Sequence, residues 1–220
     1  MQKILVLGLF LVLSGKVYAG DDHDFQVWNT DVEEINLNKS AKVLLEEEFR
    51  LGDNAGNFYY QHYDIGYVRD LSRYLNAGFG YRYVQEMKNK KFKVENEPYL
   101  MATLFWQWLG YKFASRSRLE YRYFQYQADS WRYRNKFTVK LPWEFTRREI
   151  QPFLADEIFI RFNGTELNEN RLFIGLGFKI TKNLAGEIYY LLRSIKNYHK
   201  TTTNSWTDAD VLGSNLKLMF

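Results

Sequence analysis

The sequence predicts an all-β chain folded as a transmembrane antiparallel β-barrel of 10–12 strands, and three observations carry the prediction. Apolar and charged residues alternate with a period of two through most of the chain. After the N-terminal stretch, no apolar run approaches the roughly 18–20 residues that a membrane-crossing helix needs. The final stretch, VLGSNLKLMF, alternates up to its last residue, Phe220. Side chains of a strand point to opposite faces in turn, so each alternating stretch has one apolar face and one wet face. The mean hydropathy of −0.45 fits a barrel whose inner wall is polar.

The N-terminus, MQKILVLGLFLVLSGKVYAG, has Lys3, an apolar run from Ile4 to Leu13 and a small residue at Ala19. This is the pattern of a secretory signal peptide, too short in its apolar part to span a bilayer. Cleavage after Ala19 is expected, leaving one barrel domain over 20–220. Removing Lys3 and Lys16 takes the formal net charge from +4 to +2. The mature chain is then nearly balanced, and its basic residues sit in strand alternation rather than in a patch, so no nucleic acid partner is expected. The absence of cysteine excludes disulfides, thiolate catalysis and cysteine-based metal sites.

Strands are expected at about 25–37, 41–51, 58–69, 74–87, 93–108, 111–126, 131–141, 150–162, 170–181, 184–196 and 207–220. In the second, Val43, Leu45, Phe49 and Leu51 alternate with Glu46, Glu48 and Arg50. In the third, Tyr63, Ile65 and Tyr67 alternate with His62, Asp64 and Gly66, and in the fourth Leu75, Ala77, Phe79, Tyr81 and Tyr83 alternate with Gly78, Gly80 and Arg82. The stretch PYLMATLFWQW, 98–108, does not alternate, so its faces stay unassigned. The clearest pair is RSRLEYRYF with SWRYRNKF. Arg116, Arg118, Glu120 and Arg122 share one face, and so do Arg132, Arg134 and Lys136, with Leu119, Tyr121, Tyr123, Trp131 and Tyr133 opposite. A helix would scatter these arginines around its circumference. Segment 150–162 places Glu157 and Arg161 on one side; later, Leu172, Ile174 and Leu176 oppose Arg171, Gly175 and Gly177, and Ile188, Tyr190 and Leu192 oppose Glu187 and Arg193.

Short connectors are expected at 70–73, 109–110 and 181–183, and longer ones at 87–97, 163–169 and 197–207. Short periplasmic turns and longer extracellular loops are the habit of outer-membrane barrels. Eleven segments conflict with the even strand number of single-chain bacterial barrels. The expectation is therefore ten or twelve, with 25–37 either not a full wall strand or one strand still hidden. Phe58, Tyr59, Tyr60, Tyr123, Trp131 and Trp206 fall near outer strand ends, and Trp106, Trp108, Trp143 and Phe220 near inner ends, as interfacial aromatics do.

A terminal phenylalanine in phase with an amphipathic last strand resembles the sorting signal that the barrel-assembly machinery reads, which makes Phe220 the candidate sorting residue. The stretches VWNTDVEEINLNKSAKVLLEEEFRL, GFGYRY, RSRLEYRYF, WRYRNKF, NRLFIGLGFKIT and EIYYLL resemble the family called domain of unknown function 2490, a set of predicted outer-membrane barrels without assigned activity. The resemblance implies fold and location in the outer membrane of a Gram-negative bacterium, with lipids including lipopolysaccharide as neighbours. The RLEYRYF-type strands also resemble those of oligogalacturonate-specific monomeric porins, a likeness that implies a monomeric, arginine-lined barrel.

The candidate lumen residues are Arg116, Arg118, Glu120, Arg122, Arg132, Arg134, Glu157, Arg161, Arg171 and Arg193. Three readings stay open. The arginines could line a narrow pore preferring small anionic solutes, since guanidinium forks suit carboxylates and phosphates and charged rings select ions. They could instead pair with acids and close the bore. Or His62 and Asp64, two residues apart on one face, could serve an outer-membrane enzyme as base and orienter; no nucleophile motif stands beside them, so no enzyme is expected. His23, His62 and His199 have no ligand spacing, so neither a metal nor another cofactor is expected.

Overall fold

The computed structural model describes residues 23–163, 166–196 and 206–220, and the expected signal peptide, the start at Gly20 and His199 lie outside them. The described chain forms eleven strands: β1 (Asp24–Asn38), β2 (Ala41–Gly52), β3 (Asn57–Ser72), β4 (Leu75–Lys88), β5 (Lys91–Trp108), β6 (Tyr111–Phe124), β7 (Ser130–Lys140), β8 (Gln151–Arg161), β9 (Glu166–Lys179), β10 (Leu184–Lys196) and β11 (Trp206–Met219). Each pairs with its sequence neighbours, and β1 pairs with β11 to close the barrel.

The strand number is neither ten nor twelve. Segment 25–37 is a full wall strand, and no twelfth is needed, because β1 and β11 run parallel, from Asp24↔Ala209 to Glu34↔Met219. Strands that alternate up and down in an odd number must meet their first partner in the same direction. The remaining pairs are antiparallel. Asp24 consequently marks one end of the barrel and Phe220 the other.

Connectors differ from the expected long–short alternation. Residues 87–97 are mostly wall: β4 runs to Lys88 and β5 starts at Lys91. Asn89 and Lys90 alone turn the chain, at φ 53° and 62°, the left-handed pair of a type I′ hairpin. Leu109 and Gly110 do the same at φ 48° and 82°. A long connector, 141–150, lies at the Phe220 end and carries its own small bridge between Phe145 and Ile150.

The outward faces follow the alternation. Ile65, Phe79, Leu172, Ile174, Leu176, Ile188 and Leu212 are exposed around the wall. The unassigned stretch 98–108 resolves into Leu100, Leu104, Trp106 and Trp108 outward and Tyr99, Met101 and Thr103 inward. Exposed aromatics mark both rims: Phe25, Tyr123, Trp131 and Trp206 at the Asp24 end, and Tyr74, Trp106, Trp108, Trp143 and Phe220 at the other. Tyr59 and Tyr60 depart from that belt. A bulge sets Arg50 opposite Tyr60 and Leu51 opposite Phe58, which leaves Tyr59 as the extra residue. Its hydroxyl donates to Gln26 at 2.8 Å, and the Tyr60 ring lies under Arg50.

Polar groups on the outer wall bond sideways to one another: Asn135 to Ser115 and Ser117 at 3.0 Å, Asn170 to Asp156 at 2.7 Å and Asn29 to Ser214 at 3.1 Å. The outer face of β1 and β2 breaks this pattern with Asp31 and Glu47 in register across the pair.

Candidate functional site

The interior is built from the inward positions of all eleven strands, and more of its buried residues are polar or charged than apolar. From the middle of the barrel toward its Asp24 end lies a charged septum. Arg122 grips Glu95 through two nitrogens, the second at 2.8 Å, and reaches Glu97 at 3.1 Å. Arg132 bridges Glu97 at 2.7 Å and Glu120 at 2.5 Å. Arg134 donates twice to Glu157, at 3.0 and 2.7 Å, and once to Glu120 at 3.4 Å. Arg82 joins Asp64 and Glu46, both at 2.9 Å, and Asp64 also accepts from Tyr99 at 2.6 Å and Arg118 at 3.4 Å. Glu169 receives Arg171 at 2.7 Å and Arg193 at 2.8 Å. Arg50 donates to Glu48 at 2.5 Å while its guanidinium covers the Trp28 ring at 3.6 Å.

The network balances. Arginines 50, 82, 118, 122, 132, 134, 171 and 193 face carboxylates 46, 48, 64, 95, 97, 120, 157 and 169, and each of these has an ionic partner within 4 Å. Glu120 is 0% exposed and Arg118 4%, so side chains rather than water fill the bore here. Isolated charges do not persist in such surroundings; they must be paired and hydrogen-bonded.

Sequence reasoning placed Arg118, Glu120, Arg122, Arg132, Arg134, Glu157, Arg171 and Arg193 on the inner face, and the structure brings them into this septum. Arg161 is inward at the Asp24 end of β8, and Arg116 lies one layer nearer the Phe220 end. Glu95 and Glu97 were missed, because the expected loop 87–97 hid them; their spacing of two, in phase with Tyr99 and Met101, is the signal that could have found them. His62 and Asp64 do not form a pair. The ring of His62 meets Glu46 at 2.9 Å and the Tyr60 hydroxyl at 3.1 Å, and Asp64 is occupied by Arg82, Tyr99 and Arg118.

Most of the inward glycines make room for rings rather than for a bore. A Cβ on Gly80 would lie 2.3 Å from the Tyr99 hydroxyl oxygen, and one on Gly175 would lie 2.7 Å from Phe153. Gly177 differs: the nearest atom to its Cβ position is 3.7 Å away. It lines a chamber of about 760 Å³ that extends from the septum to the Phe220 end. That volume lies within the range of small-molecule pockets. Arg82, Arg134, Glu157 and Arg171 form its floor, Leu44, Val68, Met101, Phe153 and Phe173 its walls, and Glu144, Glu149 and Lys217 its rim. At the rim, Lys42 and Lys217 both meet Glu34, at 3.1 and 2.7 Å, and Lys112 meets Glu144 at 3.0 Å. No group of three or more histidine, aspartate or glutamate side chains is arranged to hold a metal among the described residues.

No curated protein and no solved structure matches this chain. A family model does, over residues 25–204, which is nearly the whole barrel. The chain with the septum and the one-sided chamber belongs to the family described as protein of unknown function DUF2490.

Proposed function

We propose that this chain is an outer-membrane barrel whose bore is closed by the charged septum and whose chamber faces the periplasm. The single observation that carries the closed reading is the septum, in which Arg118, Arg122, Arg132, Arg134, Arg171 and Arg193, all named for an anion pore, already hold a carboxylate at close range or share one. An anion in transit would have to displace buried glutamates from buried arginines. The membrane reading draws support from the apolar outer wall, the sideways pairing of its polar groups and the aromatic rims. The chamber end carries Phe220 and its amphipathic strand, which supports a periplasmic placement of that end. Glu46 and Tyr60 take both ring nitrogens of His62, which supports a structural role for it in the inner wall.

Two measurements test this reading. The purified protein in planar bilayers is expected to conduct little, and Arg132→Glu should open a leak by placing a third carboxylate against Glu97 and Glu120. Steady conductance in the unmodified protein overturns the closed reading. For placement, single cysteines at Lys90 and Lys182, exposed in turns at opposite ends, should differ on intact cells. The first should react with an impermeant thiol reagent and the second should not. Labelling at 182 alone would invert the orientation, and recovery of the protein as a soluble periplasmic species would remove it from the membrane.

A further inference from the structure

Like charges stand opposite each other at several places on the inner wall, among them Arg118 with Arg134 and Arg171 with Arg193, and each of those arginines holds a carboxylate at 2.7–3.4 Å. One further pair has no such support. Arg116 on β6 stands directly opposite Lys136 on β7, and both side chains line the chamber. Like charges placed opposite each other across a strand pair repel. The next position in that row is Glu157 on β8, opposite Lys136, and then Arg171 on β9. Glu157 is the natural counter-ion, yet its carboxylate is already held by Arg134 at 2.7 Å and approached by Arg171 at 3.6 Å. Arg116 reaches it only at 3.8 Å, and its side chain is 32% exposed, against 5% for Arg118. Lys136 turns away from it. Its Nζ sits 3.9 Å from the centre of the Phe173 ring, and among the described residues no carboxylate lies within 4 Å of it. Of these two cations, Arg116 competes with Arg134 and Arg171 for Glu157, and Lys136 has no carboxylate within reach among the described residues.

We propose that Arg116 and Lys136 bind the oxyanion group, a carboxylate or a phosphate, of a small solute that enters the chamber at the Phe220 end. Arginine supplies a planar fork and lysine a point charge, a combination suited to either group. Beside Lys136, Phe153, Phe173 and Tyr189 form one apolar cluster that lines the chamber. The occupant is therefore amphipathic: an anionic head between the two cations and an apolar body against these rings. The chamber opens along the barrel axis, away from the apolar outer wall, so the solute arrives from water rather than from the bilayer. This site rests on the one-sided chamber of the proposed function and does not depend on membrane placement.

Titration calorimetry on the detergent-solubilised barrel tests the site with benzoate and phenyl phosphate as probes and benzyl alcohol as the neutral control. Both anions should bind, and benzyl alcohol should bind at least about tenfold more weakly. Arg116→Gln combined with Lys136→Gln should remove the anion preference. Without ligand, this variant should unfold no earlier than the wild type, because it relieves a repulsion and breaks no hydrogen bond. Thr138→Trp, one inward position nearer the mouth on β7, should block all three probes while leaving the charges in place. Equal binding of benzyl alcohol, or unchanged benzoate binding in the double variant, would overturn the site. Tighter binding of dihexanoyl phosphatidate than of either aromatic anion would overturn the assignment to a free solute and make the occupant a lipid headgroup. A conducting barrel that still binds benzoate through Arg116 and Lys136 would refute the closed bore and leave the site standing.

Discussion

Glu120→Ala is expected to lower the stability of the barrel by about 3–5 kcal/mol, the range found when one partner of a buried ionic cluster is removed. Glu120 is fully buried and accepts from Arg132 at 2.5 Å and from Arg134 at 3.4 Å, with Arg118 at 3.8 Å. Without it, three guanidinium groups crowd one cavity that water cannot fill freely. Urea unfolding of the detergent-solubilised protein measures the loss, and a change below about 1 kcal/mol would mean that the septum tolerates an unpaired charge. Glu120→Gln separates charge from volume and should recover only part of the loss. Combining Glu120→Ala with Arg132→Ala should cost less than the two single changes together, since groups in one network do not add.

Trp28→Ala should cost a similar amount, about 3–5 kcal/mol, as buried tryptophans do when truncated. Trp28 is 2% exposed and belongs to the largest apolar cluster of the interior. Its indole is also the platform for Arg50 at 3.6 Å and lies within 5.4 Å of Arg171 and Arg193. It stands on β1, the strand that closes the ring. Its loss should therefore show first as failed closure, seen as loss of the compact, heat-modifiable band in cold electrophoresis. Trp28→Phe keeps a ring under Arg50 and should fold. If Trp28→Ala migrates and melts as the wild type does, the interior does not anchor β1.

Which face looks inward was legible from alternation alone in most strands, because inner and outer walls meet different surroundings. Arg118, Glu120, Arg132 and Arg134 could be placed from four residues of pattern. The pattern failed where both walls are apolar, as at Met101 inward beside Leu100 outward, since nothing then distinguishes the faces. It failed again at Tyr59 and Tyr60, where a bulge turns consecutive residues to one side. Glu95 and Glu97 were lost in a lysine-rich stretch that reads as a solvated loop; a two-residue turn at Asn89–Lys90 carries too little sequence to announce itself. The pairing of Arg132 with Glu97 and Glu120 joins three strands, and no single stretch encodes such a contact. The strand number was out of reach for the same reason. Parity is decided where residue 24 meets residue 209, and local pattern is blind to that meeting.

The parallel closure has a consequence for how the chain is threaded. The seam pairs eleven residues from Asp24 to Glu34, ten steps that span about 33 Å along the strand at about 3.3 Å per residue. In an even-numbered barrel the chain departs and returns on the same side, like a stitch pulled back through the cloth. Here it passes through once and stays through. In the membrane placement proposed above, Asp24 and Phe220 lie on opposite sides of the bilayer. A reporter fused ahead of β1 and another fused after β11 would then report from two different compartments, and a short linker could not join the two ends to make a permuted barrel.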